Sequence, residues 1–290
     1  MDYKNIEEHK EYIKITKVKN FNLRDIFECG QCFRWNSNDK DTYIGVAFGK
    51  VIEVKLIDED LYIYNSTKEE VEKIWIDYFD LNRDYRLIKK ELSKDPLLLE
   101  AVQFGKGIRL LKQDPFELII SFIISANNRI PMIKKAIDKI SQRWGEKLEY
   151  KGNIYYTFPT IDSLRNATEE ELRECGVGFR GKYIKATVDI LSSSMINEML
   201  TANDNQCHKL LQKLPGIGPK VADCIMLFSM EKYSAFPVDV WVKRAMQHFY
   251  LAPDVSLPKI REFARDKFGK NAGFAQQYLF YYARENKIIV

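Results

Sequence analysis

The chain has 290 residues, of which 46% are hydrophobic and 30% charged, and its formal net charge is +4. This length is sufficient for a sizeable buried core and roughly two or three sub-domains. The chain has no run of 18 apolar residues and its first ten residues are polar. We therefore expect neither a membrane span nor a signal peptide, and a cytoplasmic location.

Cysteine usage excludes a disulfide framework, because the five cysteines are scattered and odd in number. Cys29 and Cys32 form a Cys-x-x-Cys pair that could suggest metal or redox chemistry. No second pair and no nearby histidine accompanies them, so we predict no metal site.

The first third of the chain is rich in predicted strands. Residues 43–48, 52–56 and 61–64 are apolar or alternate between apolar and charged residues, and turn residues separate them. These segments predict a small antiparallel sheet. We assign residues 1–100 to a β-rich N-terminal domain.

Helical patterns dominate from residue 101 to residue 290. Asp114 precedes a run, residues 116–124, that is apolar nearly all round and ends near the polar Asn127. Such a run predicts a central buried helix. The predicted fold class is therefore α+β, with an antiparallel sheet domain followed by a mainly α-helical domain.

The most informative segment spans residues 205–230, whose centre reads Leu-Pro-Gly-Ile-Gly-Pro. It predicts two helices joined by a tight hairpin. Gly216 and Gly218 have no side chains to cover the hairpin backbone, so N–H groups of the hairpin and of the second helix can bind an anion. In the following loop, residues 236–240, Asp239 is the predicted N-cap of another helix. This is a helix-hairpin-helix suited to binding a nucleic-acid phosphate. The positive net charge of the chain lies in the part that contains it, since residues 201–290 hold 13 Lys and Arg against 8 Asp and Glu.

These features resemble the helix-hairpin-helix DNA glycosylases that carry a Gly/Pro-rich loop and an Asp after the hairpin. In that superfamily a lysine just after the hairpin, here Lys220, marks enzymes that are also lyases. Residues 30–35, GQCFRW, and residues 107–115 resemble the 8-oxoguanine family in particular. The resemblance extends over most of the chain. It implies base-excision repair of double-stranded DNA containing 8-oxoguanine by a monomer, in the cytoplasm or at a prokaryotic nucleoid.

The resemblance assigns the catalysis to Lys220 and Asp239. Lys220 would attack C1′ as the free amine, and burial beside the partial positive charge of the hairpin favours the uncharged form. The Schiff base would then permit β-elimination of the 3′ phosphate. Asp239 would stabilise positive charge on the sugar, and the N–H groups at the helix start favour its ionised form. The alternative is a phosphate-binding lysine and a purely structural cap.

Four residues would bind the base flipped out of the duplex. By resemblance, the carbonyl of Gly30 accepts the N7 hydrogen that 8-oxoguanine has and guanine lacks. Gln276 would bond the Watson–Crick edge, while Cys224 and Phe280 would lie on opposite faces of the base. Taken singly, each residue is also compatible with a turn or a packed core.

Four further residues would contact the gap and the opposite strand. Asn127 would fill the space left by the flipped nucleotide. Eukaryotic relatives read the orphaned cytosine with two arginines and wedge the gap with a tyrosine. This chain has Phe179 in place of the tyrosine, keeps Arg180, and has Met132 where the other arginine is expected.

The DNA backbone would be held by amides of Gly216, Gly218 and Val221, and by the indole N–H of Trp241, where some relatives have a histidine. The chemistry requires no cofactor. Endonuclease III and adenine glycosylases often carry an iron–sulfur cluster, but no cysteine follows Cys224 to ligate one. Carbonyl groups of the hairpin could hold a structural cation.

Two other functions stay open at this stage. One is a glycosylase of the same superfamily for another damaged base, such as an alkylated base or an oxidised pyrimidine. The other is a non-enzymatic DNA-binding module that uses the hairpin alone. Covalent trapping with borohydride distinguishes a lyase from such a module, and a panel of lesions distinguishes the glycosylases.

Overall fold

The computed structural model describes residues 1–39, 41–251 and 254–288. An N-terminal antiparallel sheet has the strand order β1-β2-β6-β5-β4-β3. Its strands are β1 (Asn5–Glu8), β2 (Tyr12–Thr16), β3 (Trp35–Asp39), β4 (Thr42–Ala47), β5 (Lys50–Ile57) and β6 (Asp60–Tyr64). A helical part follows, so the predicted α+β class is confirmed.

The three predicted strands are confirmed as β4, β5 and β6, whereas the rest of the sheet was not predicted. β1 and β3 are edge strands made largely of polar residues, and they lack an apolar alternation that could reveal them. β2 does alternate, since Ile13 and Ile15 are buried. That signal was available in the sequence.

Helices form most of the remainder. Their bounds are α1 (Leu23–Phe27), α2 (Lys68–Glu70), α3 (Ile76–Tyr78), α4 (Tyr85–Leu92), α5 (Pro96–Phe104), α6 (Pro115–Ser125), α7 (Ile130–Trp144), α8 (Ile161–Arg165), α9 (Glu169–Leu172), α10 (Gly181–Ile190), α11 (Ser193–Thr201), α12 (Asp204–Leu211), α13 (Pro219–Ser229), α14 (Val240–Phe249), α15 (Leu257–Phe268) and α16 (Ala272–Glu285). Wider π-type turns, Val71–Trp75 and Arg173–Val177, continue α2 and α9. Within the described residues, none of these helices is both long and apolar enough to cross a membrane.

A short hairpin that was not predicted interrupts the mainly helical part. β7 (Lys147–Tyr150) and β8 (Asn153–Tyr156) pair with each other. Their apolar side chains pack on the outer face of the N-terminal sheet, against Ile44, Val46 and Val51. The hairpin is therefore stabilised by a distant surface that no local pattern shows.

The central helix α6 was predicted correctly. Asp114 is its N-cap and accepts a hydrogen bond of 2.8 Å from the N–H of Glu117. Residues 116–124 are buried except for the partly buried Glu117. Phe122 of α6 stacks on Phe228 of α13 with ring centroids 5.7 Å apart, which fixes α13 against the centre of the helical part.

The segment between α1 and β3 joins the two parts of the molecule. Cys29 and Phe33 pack in the helical core, whereas Cys32 and Trp35 pack in the core under the sheet. The GQCFRW segment is thus shared between two cores. α4 and α5 also pack in the helical core, and the proposed domain boundary near residue 100 stays a prediction.

Buried glutamines hold this segment in place. Gln31 donates to the carbonyl of Arg109 at 2.8 Å, and Gln113 donates to the carbonyl of Gln31 at 2.8 Å. From α16, Gln277 donates to the carbonyl of Cys29 at 2.7 Å. These bonds satisfy polar groups that would otherwise be buried without a partner.

Arg109 provides a test of this packing, because its side chain is fully buried. Its guanidinium bonds Asp2 at 2.8 Å and the carbonyl of Phe79 at 2.9 Å. Arg109→Met should lower the free energy of unfolding by about 3–5 kcal/mol, since the Asp2 carboxylate would stay buried without its partner. Urea denaturation measures the change. Arg86→Met, at a largely exposed arginine paired with Asp84, is the control. A loss at Arg109 of under about 1 kcal/mol, the size of a surface pair, would contradict the prediction.

Candidate active site

The hairpin before α13 presents Lys220 in the first turn of that helix. Gly216 has a φ of 81°, and a Cβ there would lie 2.7 Å from the Cβ of Tyr183 on α10. Glycine is required at that position by both conformation and packing. Gly218, the N-cap of α13, has an ordinary φ of −89° and open space around it. Its lack of a side chain leaves the surface at the helix start bare.

A cavity of about 260 Å³ lies between α6, α13, α14, α16 and the segment after α1. Its lining includes seven of the residues predicted from sequence: Gly30, Lys220, Cys224, Asp239, Trp241, Gln276 and Phe280. The fold therefore brings together residues from widely separated parts of the chain. Each of the predicted catalytic and base-binding residues lines this one cavity.

Asp239 is the N-cap of α14, as predicted, and its carboxylate accepts a hydrogen bond of 2.8 Å from the N–H of Val242. Burial raises the pKa of the Asp239 carboxyl above its usual value, while the Val242 N–H and the charge of Lys220 act in the opposite direction. The sequence argument considered only the groups that favour the anion. Burial outweighs them in the unbound protein.

Cys224 lies one turn after Lys220 on α13 and is 4% exposed. Burial raises the pKa of its thiol to about 11, an effect that the nearby Lys220 charge partly opposes. The thiol is therefore protonated at neutral pH and presents a compact apolar surface to the cavity. Burial likewise raises the pKa of Cys29, to about 12, so the Cys-x-x-Cys pair consists of packed thiols.

Gly30 lines the cavity next to Phe280. Its φ is 81°, and a Cβ there would lie 3.0 Å from the ring of Phe280. Gln276, one turn before Phe280, is 4% exposed, and its side-chain oxygen has no hydrogen-bond partner among the described residues. An unpartnered buried amide oxygen facing a cavity is suited to a ligand with N–H groups.

The residues predicted to enter the DNA gap lie outside this lining. Asn127 is exposed and has the left-handed φ of 51° directly after α6. Phe179 is 54% exposed and Met132 is 47% exposed. Other large apolar side chains, such as Leu87 at 60% and Val240 at 55%, are equally exposed, so exposure alone does not mark a contact surface.

Arg180 differs from them because it is buried, at 7% exposure. Its guanidinium donates to the carbonyls of Ala126 at 2.7 Å, Asn127 at 2.8 Å and Val177 at 3.1 Å. It also lies 4.6 Å from the ring centre of Phe179. To read a base, Arg180 would have to leave these carbonyls.

Sequence reasoning missed several residues of the cavity. Phe122 lines it, with its ring centre 5.7 Å from the Lys220 amine, but its apolar helix gave no sign of which face is turned inward. Arg284 also lines it. Extending the one-turn spacing of Gln276 and Phe280 along α16 would have found Arg284.

A larger cavity, of about 900 Å³, lies on the other side of α13, against α15. Lys220 lines this space too, together with Asp223, which is paired with Arg261 at 2.8 Å. Asp239 and the base-binding residues are absent from its described lining. The predicted catalytic lysine and carboxylate and the predicted base-binding groups all line the smaller cavity.

Comparison with known families accounts for both parts of the chain. Residues 13–119 match the family model of the 8-oxoguanine DNA glycosylase N-terminal domain. Residues 120–270 match the model of the HhH-GPD superfamily base excision DNA repair proteins. The two matches meet between Ile119 and Ile120, inside helix α6.

Individual relatives agree with these matches. The structure of Clostridium acetobutylicum 8-oxoguanine glycosylase/lyase, in complex with double-stranded DNA containing cytosine opposite 8-oxoguanine, superimposes with a TM-score of 0.98. It is 61% identical and covers 99% of this chain and 100% of that one. The N-glycosylase/DNA lyase of Arabidopsis thaliana is 33% identical over 288 residues, 92% of this chain and 78% of the relative. A probable N-glycosylase/DNA lyase of Methanothermobacter thermautotrophicus is 34% identical over 243 residues, 77% of this chain and 76% of the relative. The chain therefore belongs to the 8-oxoguanine DNA glycosylase/lyase family of the helix-hairpin-helix base-excision repair superfamily.

Proposed function

We propose that this protein removes 8-oxoguanine from duplex DNA and then cleaves the strand, as a bifunctional glycosylase and lyase of base-excision repair. The observation that carries the proposal is one cavity lined by both Lys220 and Asp239 together with a base-sized recognition surface. A non-catalytic hairpin module has no need of that combination. Family membership supports the same activity.

The lesion would enter the cavity by flipping out of the duplex, at a cost of a few kcal/mol. Phe280 and the Cys224 thiol would lie on the two faces of the base. Gln276 would accept from its Watson–Crick edge, and the carbonyl of Gly30 would accept its N7 hydrogen. Guanine lacks that hydrogen, so its N7 lone pair would face the carbonyl oxygen without a bond.

The chemistry would begin at the Lys220 amine, which bonds to C1′ while the C1′–N9 bond breaks and its electron pair leaves with the base. Ionised Asp239 would stabilise the positive charge that develops on the sugar. Opening of the sugar gives a Schiff base between Lys220 and C1′. Loss of the C2′ proton then expels the 3′ phosphate by β-elimination, and water releases the lysine.

The backbone of the DNA would be bound by the amides of Gly216, Gly218 and Val221 and by the indole of Trp241. The open space around Gly218 supports a close approach of phosphate. We further propose a monomer that requires no cofactor and acts in the cytoplasm or on the nucleoid, with a structural cation at the hairpin carbonyls as a possible addition to its fold.

Lys220→Gln tests the function directly. The variant should lose base release and strand cleavage by about a thousandfold or more, because the nucleophile is gone, while DNA binding stays measurable through backbone amides. Borohydride trapping on duplexes with 8-oxoguanine is the measurement. Lys209→Gln, at an exposed lysine on α12, is the matched control. A trapped adduct that still forms with Lys220→Gln would contradict the assignment of Lys220 as the nucleophile. Wild-type adducts only with other lesions would favour a different substrate.

Asp239→Asn separates activity from stability. Base excision should slow by about a hundredfold or more, because the carboxylate charge is lost at the developing cation. Asparagine caps helices as well as aspartate does. Burial raises the folded-state pKa of Asp239, so ionisation of this carboxyl costs stability at neutral pH, and the cost disappears in acid as the carboxyl becomes protonated. The variant should therefore melt at the same or a higher temperature at pH 7. Near-normal single-turnover excision would show that the carboxylate is only structural.

The opposite strand should be read weakly. Met132 has no donor for cytosine, and Arg180 is bonded to carbonyls of its own chain. Losing a bidentate base contact removes about 1–3 kcal/mol of discrimination. We expect only a modest preference for cytosine in single-turnover rates measured opposite all four bases. Met132→Arg should increase that preference, chiefly by slowing excision opposite the wrong bases. A cytosine preference above about a hundredfold in the unmodified protein would contradict this interpretation.

A further inference from the structure

Arg284 is a cationic residue of the cavity that the proposed mechanism does not use. It lies on α16, one turn after Phe280, and its guanidinium carbon is 5.2 Å from the centre of that ring. The Glu285 carboxylate bonds its Nε at 3.0 Å and its Nη2 at 2.9 Å, and Nη2 also donates to the carbonyl of Glu28. The guanidinium is thus held on one side by fixed partners.

Its remaining nitrogen, Nη1, is buried and has no hydrogen-bond partner among the described residues. A buried donor on a charged group is costly to leave unpaired, so we expect it to have a partner when DNA is bound. Arg284 lines the same cavity as Lys220 and Asp239.

The position of Nη1 within the cavity is defined by Gly30. A Cβ on Gly30 would lie 3.5 Å from Nη1 and 3.0 Å from the ring of Phe280. The glycine backbone, the aromatic ring and the free donor therefore meet at one corner. A side chain on Gly30 would occupy that corner.

The base proposed for this cavity has two features at one edge. 8-Oxoguanine carries a hydrogen on N7 and, on the adjacent C8, a carbonyl oxygen. Guanine has a C8–H there, which accepts nothing. If the base lay on Phe280 with its N7 hydrogen at the Gly30 carbonyl, the C8 oxygen, on the atom next to N7, would lie beside Gly30, and Arg284 Nη1 is one of the three atoms closest to a Cβ built on that glycine.

We propose that Arg284 Nη1 donates a hydrogen bond to the C8 oxygen of the flipped lesion and makes Arg284 a specificity-determining residue. The inference rests on the proposed removal of 8-oxoguanine. Guanine in the same pose would leave Nη1 buried and unpaired, and sites of this kind reject analogues that lack the bonding group. The lesion would then be recognised at N7 and at C8 together.

The test compares duplexes that carry either 8-oxoguanine or 8-thioguanine opposite cytosine. 8-Thioguanine keeps the N7 hydrogen but has sulfur, a weak acceptor, on C8. Arg284→Met should slow single-turnover release of 8-oxoguanine by about tenfold or more and affect 8-thioguanine much less, so that the preference for oxygen collapses. Arg284→Lys keeps the charge but not the placed Nη1, and should resemble Arg284→Met. The control is Arg24→Met, which removes a charge paired with Glu28 at the surface.

β-Elimination on DNA with a preformed abasic site, which has no base, distinguishes base contact from a structural role. The Arg284 variants should lose far less activity there than on 8-oxoguanine. Equal losses of rate on both bases would overturn the inference, and so would losses on abasic DNA as large as those on the lesion. It would also be overturned if Arg284→Met released 8-oxoguanine at the same rate as the unmodified protein. Failure of the unmodified protein to release 8-oxoguanine would instead refute the proposed function, and the inference with it.

Discussion

The cavity depends on a few buried amide hydrogen bonds at the seam between the sheet and the helices. Hydrogen bonds of Gln31, Gln113 and Gln277 tie the segment after α1 to the stretch before α6 and to α16. Glutamine suits this place because one side chain both donates and accepts. Together with the packing of Cys29 and Phe33 in the helical core, these bonds fix the position of Gly30 relative to Lys220. Ligand sites commonly form where two parts of a protein meet, and here each part supplies one wall.

Opposing effects act on the charge of the Asp239 carboxyl in the cavity. Burial raises the pKa of Asp239, whereas the start of α14 and the charge of Lys220 favour its anion. A buried carboxylate close to a lysine is not what stability alone would select, because replacing such groups by neutral ones is often favourable. Active sites commonly retain such strain for function. The same logic extends to Arg284, whose buried Nη1 has no hydrogen-bond partner in the part of the chain that the structure describes.

In the proposed complex, the two strands of the DNA would meet surfaces of different character. The lesion strand would face the cavity, with its polar groups and close packing at Gly30 and Gln276. The opposite strand would face the exposed apolar side chains of Met132 and Phe179, while Arg180 is bonded to carbonyls of its own chain. The proposed recognition of the damaged base would therefore use polar contacts that the opposite base lacks. Polar contacts carry more discrimination than apolar ones because a mismatch leaves them unpaired.

The sequence by itself determined what depends on local chemistry: three of the strands, the capped helices, the bare hairpin before Lys220 and Asp239 as an N-cap. Resemblance to the family then named catalytic and base-binding residues that line one cavity, whereas Asn127, Met132, Phe179 and Arg180 lie outside its lining. Tertiary structure alone decided the rest. Polar edge strands and the β7–β8 hairpin are stabilised by distant partners, so no local pattern announces them. The burial of Arg180 cannot be read from the sequence, and neither can the lack of a partner for Arg284 Nη1 among the residues described, because a side chain's hydrogen bonds depend on groups that the fold brings near from elsewhere in the chain.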